Sequence, residues 1–385
     1  MSSFKEIYFY FSLLLMIIVS FSSSVFYLSV IPTVTQLFEA HRFDSQLAYP
    51  CCMLGATIAF LFIGPLCDIY GAKKVIIMQL ISLLVGSLLC LFAIGMFSFL
   101  SGVVFIGLSN YYTSFVKLLK SIKPDSAVSM LSRFTIVAFL FIPVNVAIAG
   151  HLVIIEWHWV FLYWTILTLI CIALAYYVLP SQKEPSSRFE LSKYMENMKY
   201  FFKNFNFNTS LILFSGFMAV QSIFYTLSPH IIITDFKLSP STYGYLLFIP
   251  TLGIVVGNSC VIYFNRYFNP SRSILLGELI ALSGILMLII ITFFYPSAYV
   301  LMICFAVFRL GYPLVTNHLT MNVLNINFSL SGTALAFLYA QLNIVNTASG
   351  GFVARQDAEH MGLIMLLVLS LTMIVHYCLN RKISQ

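Results

Sequence analysis

The chain has 385 residues, of which 60% are hydrophobic and 9% charged, so most of its surface cannot face water and lipid must be its solvent. Lys and Arg exceed Asp and Glu by 20 to 13, yet the cations sit in loops between apolar runs and form no basic face, which argues against a nucleic-acid partner. The eight cysteines have neither metal-ligand spacing nor a paired framework and read as small packing residues.

The first apolar run, 7–31, follows Lys5. A signal-peptide core needs only about 7 to 15 apolar residues, so this longer run, with many like it behind, reads as a first membrane span. A spanning helix takes about 20 mostly apolar residues. The runs at 46–67, 74–93, 96–118, 130–153 and 158–180 bring the count to six. A polar break follows, carrying Lys183, Arg188, Lys193, Lys199 and Lys203 with three glutamates; it reads as a linker that can include a short amphipathic helix. Six more runs lie at 207–229, 240–264, 272–294, 298–320, 329–352 and 360–380. The expected fold is therefore all-α and membrane-embedded, with twelve spans in two six-helix bundles, 1–180 and 206–385, joined by a cytoplasmic linker at 181–205.

Cytoplasmic loops accumulate Lys and Arg. With both termini inside, sixteen of the twenty cations fall on the cytoplasmic side; Arg42, Lys237 and Arg355 fall opposite, and Arg309 lies within a span. The halves also echo each other. Tyr27 and Tyr225, like Gly55 and Gly253, are 198 residues apart, and Pro32 and Pro229 follow the tyrosines closely. Repeated halves place a binding site at their interface.

Between spans two and three stands Gly64-Pro65-Leu66-Cys67-Asp68-Ile69-Tyr70-Gly71-Ala72-Lys73-Lys74. It resembles the G-x-L-x-D-x-x-G-x-K/R-K/R signature of the major facilitator superfamily, matching at Gly64, Leu66, Asp68, Gly71, Lys73 and Lys74. Tyr27-Leu28 with Pro32, the helix-two turn and Trp157-His158-Trp159-Val160-Phe161 are similar to the twelve-helix drug/proton antiporters of the bicyclomycin-resistance type. That resemblance implies secondary transport without a cofactor. The chain departs from the branch at Val25, where an acid is usual in helix one, and at Val103, where helix four usually carries an Arg. Helix five keeps only Pro143 and Gly150 of its usual pattern.

Arg309 stands mid-span, where a charge costs about 2.5 to 3.5 kcal/mol on insertion scales; it reads either as a cation facing a cavity, able to hold a carboxylate or phosphate, or as a structural lock. In the resembled family the cavity is walled by helices one, four, seven and ten, and the candidates here are Ser23 and Tyr27, Asn110 and Tyr111, Gln221 and Tyr225, and Arg309 with Tyr312. Helices five and eleven add Asn145, Gln341, Asn343 and Asn346 as either packing groups or pathway. Gly64, Asp68, Gly71, Lys73 and Lys74 read as a conformational switch, with Asp68 as its latch. Glu278, within span nine, and His318 are the candidates for proton coupling, although Glu278 also suits a pair with Arg266 or Arg272.

No phosphate loop, nucleophile with its base, or metal-ligand pair is present, so neither an enzyme nor an ATP-driven pump is expected. The expected function is alternating-access transport of a small organic solute across the bacterial inner membrane, by efflux, with a possible coupling proton and a monomeric chain in the bilayer. Two alternatives stay open: a transporter of an anionic metabolite or siderophore-like polycarboxylate, and a non-transporting membrane sensor or assembly partner.

Overall fold

The computed structural model describes residues 3–122, 127–180, 191–264, 267–327, 330–356 and 360–381, and among them there is no strand. Lipid offers a backbone amide no partner, so each apolar run satisfies its own amides by coiling into a helix. The first bundle comprises α1 (Ser3–Ser22), α2 (Ile31–Leu37), α3 (Arg42–Gln46), α4 (Ala48–Tyr70), α5 (Ala72–Leu91), α6 (Met96–Leu108), α7 (Tyr112–Ile122), α8 (Ala127–Ile155) and α9 (His158–Val178). A linker helix, α10 (Leu191–Lys203), leads to α11 (Phe205–Pro229), α12 (Pro240–Leu246), α13 (Phe248–Phe264), α14 (Pro270–Phe294), α15 (Ala298–Ile326), α16 (Ser331–Val353) and α17 (Met361–Arg381).

Ten helices among the described residues are long and apolar enough to cross a membrane, and the bent pair α1 with Phe26–Leu37 makes an eleventh. The remaining expected span, α16, has the length but is less apolar, because Gln341, Asn343 and Asn346 interrupt it. Counting it, the described helices are consistent with the twelve expected spans in two bundles. Burial grades them: 72% of the Phe205–Asp235 window is buried against 11% for Met361–Leu379, so span seven is central and span twelve faces lipid.

Several spans that read as continuous are broken. Span one bends by 49° where α1 gives way to the 3-10 turn Phe26–Val30 ahead of Pro32. Spans two and eight each break ahead of a proline, at Leu47 and Leu247. Pro50 and Pro250, three residues on, cannot donate to the preceding turn, and the helix resumes with Cys51 and Thr251 donating to the Leu47 and Leu247 carbonyls. Span four breaks at 109–111 without a proline; the Asn110 carbonyl freed there accepts from Gln79 Nε2 at 2.7 Å. A break inside a membrane is tolerated when neighbouring groups satisfy the freed backbone in this way.

The internal repeat is written in the glycines. A Cβ on Gly55 would collide with the Val104 carbonyl, and one on Gly253 with the Ala306 carbonyl. Likewise Gly86 meets Gly102 and Ile106, while Gly284 meets Cys304 and Phe308. Spans two and three thus lie on span four as eight and nine lie on ten, with small residues letting the backbones approach.

Contacts between the bundles gather on the face opposite the termini. Arg42 donates to both carboxylate oxygens of Asp235 at 3.0 and 2.8 Å. Ser45 Oγ and His230 Nε2 are 2.9 Å apart, as are His151 Nε2 and Tyr245 Oη. Thr347 Oγ1 donates to the Pro50 carbonyl at 3.4 Å. This face is closed.

Candidate substrate site between the halves

Span ten carries Arg309 to the centre of the molecule, where it is 4% exposed. Its described partner is a side chain of a neighbouring span: Nη1 donates to Gln221 Oε1 on α11 at 2.6 Å. The guanidinium lies 5.8 Å from the centroid of the Tyr312 ring, in reach of its π face. Tyr312 Oη donates to Met218 Sδ at 3.6 Å, and Asn346 Nδ2 reaches the same sulfur at 3.8 Å and Met53 Sδ at 3.7 Å. Tyr225 completes the nest, its ring 5.3 Å from that of Tyr49 on α4. Aromatic rings and thioethers therefore surround one fixed cation, with Tyr49 and Met53 reaching in from the first bundle.

Arg309 Nε and Asn346 Oδ1 are both buried without a hydrogen-bond partner. Buried polar atoms are nearly always paired, so an unspent donor and an unspent acceptor in one nest are capacity held for something else.

The first-bundle candidates do not join this nest through described bonds. Ser23 Oγ donates back to Ser20 O at 2.9 Å. The buried Tyr27 donates to Ala48 O at 3.4 Å, and Tyr111, also fully buried, donates to Met16 O. Asn110 forms the span-four break. Tyr27 and Tyr111 thus tie span one to spans two and four, the Asn110 carbonyl ties span four to span three, and the Ser23 bond stays within span one. Asn145 is spent likewise, donating to Ser22 Oγ at 3.0 Å and accepting from Tyr163 Oη at 2.9 Å. Asn343 Oδ1 accepts from Asn346 at 3.2 Å and so supports the nest.

In the signature turn, Gly71 has φ 78° and ψ 155°, ending α4 and starting α5; a side chain there would be strained. Lys73 Nζ donates to Tyr176 O at 2.8 Å and Leu179 O at 2.6 Å, which neutralises the carbonyl end of α9. Gly64 accepts from Lys117 Nζ at 3.4 Å, and Lys74 is exposed. The Asp68 side chain lies outside the described residues, and so does Arg266. Glu278, 8% exposed, faces His376 Nδ1 at 3.9 Å, while Arg272 is exposed; the histidine takes the place expected of Arg272. His318 Nε2 is buried without a hydrogen-bond partner.

Tyr49, Met53, Met218 and His376 went unselected in the sequence. The first three are ordinary apolar-run residues there, and His376 sits in an apolar run on a peripheral span.

The model of the Major Facilitator Superfamily matches residues 13–375. The chain belongs to the Major Facilitator Superfamily. It is 24% identical over 348 residues to an "uncharacterized transporter" of Rickettsia felis, covering 89% of this chain and 84% of that protein. It is 27% identical over 248 residues to the chloramphenicol resistance protein CraA of Acinetobacter baumannii, covering 61% of this chain and 58% of the relative. Among solved structures it is similar to the xylose transporter XylE of E. coli in a partially occluded inward-open conformation, with a TM-score of 0.73, 9% identity and 97% of both chains covered. As a superfamily member the chain is an integral membrane transporter, a class that binds small-molecule solutes and often couples their movement to ions.

Proposed function

We propose that this transporter exports a small organic solute with an aromatic or apolar body and an acceptor or anionic group, by rocking bundles 1–180 and 206–385 about the linker at 181–205. The carrying observation is the buried nest in which Arg309 Nε and Asn346 Oδ1 have no partner beside Tyr225, Tyr312 and Met218. Rings and thioethers take an apolar body, and a guanidinium takes an acceptor oxygen. Export is supported by the likeness to a chloramphenicol resistance protein. The cation bias of the loops supports a bacterial inner-membrane location with both termini cytoplasmic, and a single chain holding both halves of the nest suffices as a monomer. Bonds gathered opposite the termini correspond to a state facing the cytoplasm. Nothing enzymatic is required of these residues.

A second reading, transport of an anionic metabolite or polycarboxylate, is favoured by one observation: the described hydrogen-bond partner of Arg309 is a neutral amide, which leaves its charge uncompensated there. Proteoliposomes loaded with uncharged aromatic solutes bearing an acceptor oxygen or with organic polycarboxylates, with Arg309→Ala beside the parent, separate the two. Polycarboxylate flux that disappears in the variant selects the second reading; uncharged-solute flux that survives unchanged in it removes Arg309 from the site.

A further inference from the structure

Between α11, α14, α15 and α17, at the termini-side end of the second bundle, lies a crevice of about 660 Å3. Asn206, Ser210, Ser271, Asn322, Asn325 and His376 place polar groups along it, among apolar neighbours such as Leu275 and Ile326. Ile274 also lines it, and one helical turn deeper on the same face of α14 stands Glu278. Its Oε1 is buried with no hydrogen-bond partner. At 3.9 Å, His376 Nδ1 is beyond hydrogen-bond length but within strong electrostatic reach.

The repeat shows that the fold does not need an acid here. Spans three and nine share the 198-residue register of Gly86 and Gly284, which puts the fully buried Leu80 at the place of Glu278. An ionisable group in a span is costly and is kept for a function. We propose that Glu278 and His376 form a proton-binding site in the second bundle, separate from the Arg309 nest and reached from the termini side through the crevice. A proton entering along the polar wall is taken up at His376 Nδ1 and passed to Glu278 Oε1. Glu278 then becomes a neutral carboxylic acid and His376 returns to neutral imidazole, so the pair crosses the cycle with less charge in lipid.

Among the described residues the neighbouring ionisable groups are few. From α15, His318 stands one turn from Asn322 and is the relay nearest in sequence to the wall, while Arg309 is turned to Gln221 on α11. From α17, Tyr377 joins His376 on the wall. Along α14, Arg272 is exposed near the mouth, and α11 contributes only amide and hydroxyl groups, Asn206, Thr209 and Ser210.

That this proton is the coupling proton rests on the transport reading; that the pair binds one does not. The test is infrared difference spectroscopy of the full chain in nanodiscs across a pH series, with the proton as probe, for the parent, Glu278→Gln and His376→Asn. A protonated-carboxyl C=O band that titrates in the parent, vanishes in Glu278→Gln and changes its midpoint in His376→Asn supports the site. A parent without such a band at any pH, a band unchanged in Glu278→Gln, or a midpoint unmoved in His376→Asn overturns it. In proteoliposomes under a pH gradient, loss of gradient-driven accumulation in Glu278→Gln supports the coupling role and full accumulation overturns it. A titrating band in a parent that moves no solute sustains the site while sinking the transport reading.

Discussion

Arg309 and Gln221 are joined by a 2.6 Å hydrogen bond between spans ten and seven of the second bundle. The amide orients the guanidinium without neutralising it, so Nε and the positive charge stay available to a solute. Arg309→Lys keeps the charge but loses the planar fork. A hydrogen bond to a charged group is worth about 1.5 to 3 kcal/mol, so solute affinity is expected to fall by roughly tenfold to a hundredfold in Arg309→Ala. Calorimetric titration on purified protein measures this, and an unchanged affinity would exclude Arg309 from contact.

Asp235 and Arg42 join the bundles across the closed face, and both side chains are about two-fifths exposed, at 39% and 40%. An exposed pair is worth about 1 kcal/mol or less, so Asp235→Asn should shift the conformational balance by at most about fivefold. Transport should then be faster or slower, not lost. A covalent link is another matter: bridging R42C and D235C with a short bifunctional thiol reagent should stop the cycle, and reductive cleavage of the bridge should restore it. Continued flux with the link in place would mean this face does not open.

The linker helix is fastened to span two by Tyr194, whose hydroxyl donates to Leu61 O at 2.7 Å. Four residues on stands Pro65, which has no N–H to donate, so the Leu61 carbonyl loses its ordinary helical partner and the phenol takes that place. Tyr194→Phe should cost about 0.5 to 1.5 kcal/mol, read as a lower melting temperature in detergent. Burial pushes the Tyr194 phenol up to about 12 from its ordinary 10. The folded pKa is the higher one, so this contribution is complete below about pH 10 and disappears as pH rises toward 12. Parent and Tyr194→Phe should therefore converge in stability across that interval, and parallel curves would refute the assignment.

Gly71 and the lysine that follows it give a paired expectation. Gly71→Ala places a side chain at φ 78° and should destabilise the turn by about 1 kcal/mol. Lys73→Ala removes both bonds to the end of α9 and should loosen span six. Hydrogen exchange at 176–179 should increase in Lys73→Ala; unchanged protection there would show that the carbonyls do not depend on the lysine.

The membrane-spanning helices were legible because lipid imposes one simple demand: runs of about 20 apolar residues admit few alternatives. The repeat was legible through Gly55 and Gly253, whose shared role only close helix packing makes evident. The site was half legible. Arg309, Gln221, Tyr225 and Tyr312 converge because a charged residue in a span announces itself. Ser23, Tyr27, Asn110 and Tyr111 are polar for a different reason, since hydroxyl and amide groups also serve to join helices or mend broken ones, and sequence does not distinguish the two uses. Tyr49, Met53 and Met218 were hidden because a residue that lines a site and one that fills a core look alike in an apolar run.

The glycine contacts that reveal the repeat also set spans four and ten in register, with Gly102, Val104 and Ile106 matched by Cys304, Ala306 and Phe308. One step further, Gly107 answers to Arg309. A Cβ at Gly107 would fall on the Cys52 carbonyl oxygen, so no side chain, still less a guanidinium, fits there without parting spans two and four. Two copies of one architecture have thus taken different trades: one tightened into a scaffold, the other kept the room to hold a charge.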